Sequence, residues 1–95
     1  MAEKMILSFP VHPEKRDDFV ALLNNILPDT RAFEGCIAVQ TWLPEHDPGQ
    51  VWIYEEWETR DHQGAYMTWR MTTGMGDAIG PFVTGAPQVM WIKEG

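Results

Sequence analysis

The segment from Val51 to Glu58 constrains the fold more than any other, because both of its faces demand cover. A β-strand points successive side chains to opposite sides, so Val51, Ile53, Glu55 and Trp57 share one face and Trp52, Tyr54, Glu56 and Glu58 the other. A sheet with one wet face alternates apolar with polar residues, whereas this strand carries a large aromatic ring on each side. The sheet that holds it must be shielded twice, on one face by helices of the same chain and on the other by something else. A chain of 95 residues has little to spare for that second cover, since a domain this size hides only about 60–65% of its unfolded surface. A second copy of the chain answers the need.

The rest of the sequence supplies the matching elements. Met5 to Phe9 alternates and stops at Pro10, which predicts a strand. Pro13 suits a first helical turn, Glu14, Asp17 and Asp18 suit a helix start, and Phe19, Leu22, Leu23, Ile26 and Leu27 follow helical spacing. Pro28 is expected to kink or end that helix, with Asp29 and Thr30 capping a short continuation to Phe33 and Gly35 closing the unit. Cys36 to Leu43 reads as a second strand, Pro44 to Gln50 as a turn and Val51 to Glu58 as a third strand. Thr59 is placed to cap a helix with His62, Ala65 or Tyr66, and Trp69 on one stripe, loosened at Gly74 and Gly76, with a short extra turn near Asp77 to Val83. Val89 to Ile92, entered through Gly85, Ala86 and Pro87, is the last strand. The order is βαββαβ, an α+β ferredoxin-like domain spanning residues 1–95, with a four-stranded antiparallel sheet and both helices on one face. Two such sheets stacked face to face would bury the remaining surface.

Charge and composition exclude several functions. Seven basic against fourteen acidic residues leave a formal charge of −7, which repels nucleic acid and anionic lipid alike. The apolar stretch near the start is too short for an export signal, and the uncharged run from Ala78 to Ile92 is broken by Gly80, Pro81, Gly85 and Pro87, so no membrane helix is expected and a cytoplasmic protein is the default. His12, His46 and His62 do not form a ligand pair, and one cysteine, Cys36, is too few for a metal cage. Cys36 itself reads as a small buried hydrophobe. Gly74 to Gly80 has the wrong spacing for a nucleotide loop and follows no strand.

Chemistry concentrates where the third strand feeds the second helix, at Trp57, His62, Tyr66, Trp69 and Arg70. An aromatic stripe of this kind is ordinary core packing on one reading. On the other, indole, phenol and imidazole groups packed together need polar partners and mark a cavity for a flat, polar ligand. Met67, Met71, Met75 and Met90 supply adaptable surface nearby. Glu55 faces the Trp57 side, where a carboxylate needs Arg31 or Arg70 as an ionic partner or else acts as a base; the ion pair is the expected arrangement. Asn24 and Asn25 on the first helix are within reach of a ligand, with at least one facing solvent.

The strings Glu55-Glu56-Trp57-Glu58-Thr59, Ala65-Tyr66-Met67-Thr68-Trp69-Arg70 and Pro28-Asp29-Thr30-Arg31-Ala32-Phe33-Glu34-Gly35-Cys36 together resemble the antibiotic biosynthesis monooxygenase domain family over roughly residues 4 to 92. The resemblance implies a dimeric α/β barrel, a homodimer through sheet faces, with a pocket between sheet and helices in each subunit. It also implies oxygenase activity on a quinol or aromatic polyketide-like phenol with no cofactor: no flavin, haem or metal. The Glu-x-Trp pattern carries over to Glu55 and Trp57. Many relatives have a histidine nine positions after that tryptophan; here the position is Tyr66, with His62 a turn earlier. In such an enzyme His62 is the expected base, Tyr66 a hydrogen-bond donor and Arg70 an oxyanion stabiliser, while Glu55, Trp57 and Trp69 hold the small aromatic substrate. A non-catalytic dimer that binds an aromatic metabolite is the alternative, and haem handling a more distant one.

Overall fold

The computed structural model describes residues 2–95. The elements run β1 (Glu3–Pro10), α1 (Arg16–Ala32), β2 (Cys36–Trp42), β3 (Gln50–Trp57), α2 (Arg60–Thr72), α3 (Met75–Ile79) and β4 (Gln88–Ile92), with a 3-10 turn at Pro13–Lys15 leading into α1. The four strands form one sheet in the order β2-β3-β1-β4, antiparallel throughout. This is the ferredoxin-like arrangement, in which the two central strands, β1 and β3, are far apart in sequence and lie side by side.

Register fixes which residues face the helices. Met5 lies opposite Glu55, Leu7 opposite Ile53 and Phe9 opposite Val51, so the alternation in both strands points inward together. These six residues are buried, as are Trp57, Val39 and Val11 from the sheet side and Phe19, Leu23 and Leu27 from α1. The reverse alternation puts Ile6, Trp52 and Tyr54 on the other face. There Trp52 is 37% exposed, Trp42 on β2 56% and Met90 on β4 63%. The Cα trace measures 38 × 34 × 20 Å; the short dimension accommodates one sheet and one helical layer, so the chain covers only one face of its sheet.

Two expectations are corrected. Pro28 neither ends α1 nor divides it: the helix is continuous from Arg16 to Ala32. The bond lost at Pro28 is the one to the Asn24 carbonyl, and Asn24 and Pro28 are both on the exposed side, where water can serve that oxygen. Burial of Leu27 and Thr30 holds the last turn in place. Thr30 is therefore no cap; it continues the inward stripe of Phe19, Leu23 and Leu27. The extra turn after Gly74 also begins earlier than expected, as α3 over Met75–Ile79.

Other boundaries follow their local causes. The Thr59 side chain accepts the backbone N–H of His62 at 3.1 Å and caps α2 as expected. Gly35 has φ +87° and ends the α1 unit, and a Cβ at that position would overlap the imidazole of His62. No helix among the described residues is long and apolar enough to cross a membrane.

Candidate active site

Three elements deliver polar groups to the space between sheet and helices. The pleat of β3 turns Glu55 inward, where it is 2% exposed. Helical spacing of four places Tyr66 and Arg70 on the same side of α2, and both are buried. The last turn of α1 contributes Thr30, with no exposed surface. Tyr66, Arg70 and Thr30 form a closed network. Arg70 Nε donates to the Tyr66 hydroxyl at 2.7 Å, and Arg70 Nη2 donates to Thr30 Oγ1 at 2.8 Å and to the Ile26 carbonyl at 2.9 Å. The two hydroxyl oxygens are 2.6 Å apart and share a hydrogen bond. The guanidinium also lies over the Trp69 ring, 4.6 Å from its centroid, a favourable place for a cation.

Beside this network is a cavity of about 290 Å³. Leu7, Phe9 and Ile53 form its floor, Leu23, Ile26 and Leu27 one wall, and Met67, Met71, Met75 and Ile79 the other. Glu55, Tyr66 and Arg70 are its polar lining. The ion pair expected for Glu55 is absent: neither Arg31 nor Arg70 comes within salt-bridge distance among the described residues. Arg31 instead donates to the Val39 carbonyl at 3.2 Å, and Arg70 is committed to hydroxyls and a carbonyl. Glu55 Oε1 accepts the indole N–H of Trp57 at 2.8 Å. Its Oε2 has no protein donor among the described residues, yet neither it nor Arg70 Nη1 is sealed from contact. A carboxylate and a guanidinium with no salt bridge between them thus line one apolar space.

Burial sets the proton affinities. Removal from water raises the Glu55 pKa above the ordinary carboxylate value, opposed by the Trp57 hydrogen bond and the nearby Arg70 charge. Such a carboxyl takes up a proton more readily than one in water. The Tyr66 phenol is also raised by burial, with hydrogen bonds from Thr30 and Arg70 pulling the other way. Burial and the negative charge of Glu55 raise the Cys36 thiol, which keeps it protonated and unreactive.

The structure brings together only some of the residues singled out in the sequence. Glu55, Tyr66 and Arg70 meet at the cavity. Trp57 and Trp69 do not line it; with Phe33 and Tyr66 they form an aromatic block behind it, with Phe33 centroids 5.3 Å from Tyr66, 5.5 Å from Trp69 and 6.3 Å from Trp57. His62 lies at the start of α2, its Nδ1 2.7 Å from Thr59 Oγ1, away from the cavity. The buried stripe of α2 is Gln63, Tyr66 and Arg70, one position out of phase with the aromatic spacing at its two ends. Asn24 and Asn25 are both exposed, and Met90 is on the far face of the sheet. Thr30 is the residue that the sequence reading missed. Its signal was present in the helical phase, since position 30 continues 19, 23 and 27, but a hydroxyl there reads as a cap beside Pro28. Among the described residues no three His, Cys, Asp or Glu side chains converge as metal ligands.

Comparison with known proteins agrees with this architecture. No curated protein sequence matches significantly. The fold is similar to a conserved protein from Methanosarcina mazei Go1, with 17% identity and a TM-score of 0.85 over 100% of this chain and 94% of that one. It is similar to a crystal structure of antibiotic biosynthesis monooxygenase, with 22% identity and a TM-score of 0.82 over 100% and 99% of the two chains. Rv0793 from Mycobacterium tuberculosis shares 23% identity and a TM-score of 0.70 over 99% and 95%. At these identities the likeness establishes fold. The family model for antibiotic biosynthesis monooxygenase matches residues 4–79, which include all of β1 but its first residue, β3, α2 and the whole Glu55–Tyr66–Arg70 site, and the chain belongs to that family.

Proposed function

We propose that the chain is a cofactor-independent monooxygenase that oxidises a quinol or polycyclic phenol with O2. The observation that carries this reading is the cavity itself: an apolar space faced by a buried carboxylate of raised pKa and a buried guanidinium that do not pair with each other. Ground-state O2 reacts slowly with closed-shell organic molecules until one electron is transferred, and a phenolate is a far better donor than its phenol. Glu55 takes the phenolic proton. Arg70, with the Tyr66 hydroxyl, stabilises the oxyanion that results. The phenolate passes one electron to O2, and the superoxide and substrate radical combine at a ring carbon to form a C–O bond. After protonation the O–O bond breaks; one oxygen stays as a carbonyl and the other leaves as water, so two substrate hydrogens and O2 become C=O and H2O. The apolar walls keep solvent from the radical pair. In this reading the base is Glu55 rather than His62, and Trp57 and Trp69 support the site from behind instead of clasping the ring.

The reading includes a homodimer in which the open sheet faces pack together. Trp42, Trp52 and Met90 on that face support it, since apolar surface of this size on a small chain marks a contact site. Oxygen consumption with a panel of hydroquinones and anthrone-like phenols tests the activity. Turnover by the unaltered chain that falls about a hundredfold or more in Glu55→Gln is expected, the usual worth of a positioned base. Stoichiometric quenching of tryptophan fluorescence with no oxygen uptake would instead make the protein a binder.

A further inference from the structure

Thr30 is not itself part of the cavity lining, yet it has the shortest hydrogen bond at the site, and a proton count bears on what it does there. Tyr66 and Thr30 each accept one hydrogen from Arg70, so a single proton lies in the 2.6 Å gap between their oxygens. It belongs to one hydroxyl or the other. A helical threonine commonly turns its proton back to the carbonyl four residues earlier, which here is Ile26. That carbonyl already accepts the charged Nη2 of Arg70 at 2.9 Å, and the Thr30 hydroxyl makes no bond to it. Arg70 therefore occupies the customary acceptor of Thr30 and leaves the Tyr66 oxygen as the acceptor within reach.

We propose that Thr30 is a positioning residue: it donates its hydroxyl proton to Tyr66 and so frees the phenol's own proton to point into the cavity, toward oxygen on the bound substrate. The Tyr66 oxygen then accepts twice, from Arg70 and Thr30, and its hydrogen must leave on the remaining side. If Tyr66 gives that proton up, the same two donors hold the phenolate. The inference rests on the proposed oxygenase reading for its role in turnover, while the direction of the proton does not.

Thr30→Val keeps the shape and removes the hydroxyl; Thr30→Ser restores it. Titration of tyrosinate absorbance isolates Tyr66, because Tyr54 is the only other tyrosine and Tyr66→Phe supplies the reference. Thr30→Val is expected to move the Tyr66 titration to higher pH, and to lower kcat about tenfold, the worth of one hydrogen bond to a charge-bearing partner, with KM nearly unchanged. The alkaline limb of the rate profile moves with the titration, and Thr30→Ser returns all three readouts. A Tyr66 titration identical in Thr30→Val and the unaltered chain overturns the inference. If the core refuses valine, Thr30→Cys, a weaker donor of similar size, must shift the titration in the same direction, and an unmoved titration again overturns it. A shifted titration in a chain that oxidises no quinol supports the proton assignment and removes the oxygenase reading. Brisk turnover indifferent to Thr30→Val supports the oxygenase reading and overturns the positioning role of Thr30 in it.

Discussion

At the scale of single residues, Glu55 is costly to keep, and that cost has a pH signature. Its folded-state pKa lies above the ordinary value, so between the two values the folded chain binds the proton more tightly than the unfolded chain does. Stability therefore falls as pH rises through that window and levels off above it. Glu55→Gln can still accept the Trp57 indole hydrogen and has no charge to desolvate. Its melting temperature should match that of the unaltered chain in acid and exceed it near neutrality; parallel curves at every pH would show that Glu55 is not a buried carboxylate. Arg70→Lys should destabilise by about 1–3 kcal/mol in urea unfolding, because a single ammonium cannot serve the Tyr66, Thr30 and Ile26 acceptors as the fork does. Much of this was legible in the sequence. Strand alternation alone turned Glu55 inward and helix spacing joined Tyr66 to Arg70. The choice of partner was not, because whether Arg70 reaches Glu55 or Thr30 depends on how α2 is set over α1, about which spacing along either helix says nothing.

At the scale of elements, the capping chemistry was readable and the proline was not. Thr59 before α2 announces itself by residue type and position, and Thr59→Ala should cost about 1 kcal/mol in chemical denaturation while releasing the His62 ring from its 2.7 Å contact. Pro28 announces a helix end that does not occur, since the stripe it interrupts is anchored on either side by Leu27 and Thr30, and tertiary packing outweighs one missing bond. Gly35 connects the two halves. Gly35→Ala combines a backbone angle of +87° with overlap on the His62 ring, so it should destabilise by more than about 1 kcal/mol. Adding His62→Ala should recover the steric part and leave the backbone part, which a double-mutant cycle measures.

At the scale of the whole molecule, the demand for cover on both faces of β3 was the most informative feature of the sequence, and the architecture repeats it: helices lie over one face and Trp42, Trp52 and Met90 stand exposed on the other. Sedimentation equilibrium should give twice the chain mass, and the pair Trp52→Glu with Met90→Glu should reduce it to a single chain of lower melting temperature. A doubly substituted chain that still sediments as a dimer would move the contact elsewhere. Strand β3 gives this a further consequence. Tyr54 and Glu56, bonded to each other at 2.6 Å on the open face, flank Glu55 in the same ribbon. In the proposed dimer, a shift of that ribbon against a second copy would reach, one peptide along, the carboxyl proposed as the base. Assembly and proton uptake should thus be thermodynamically joined, each chain's acidity reporting on whether it has company.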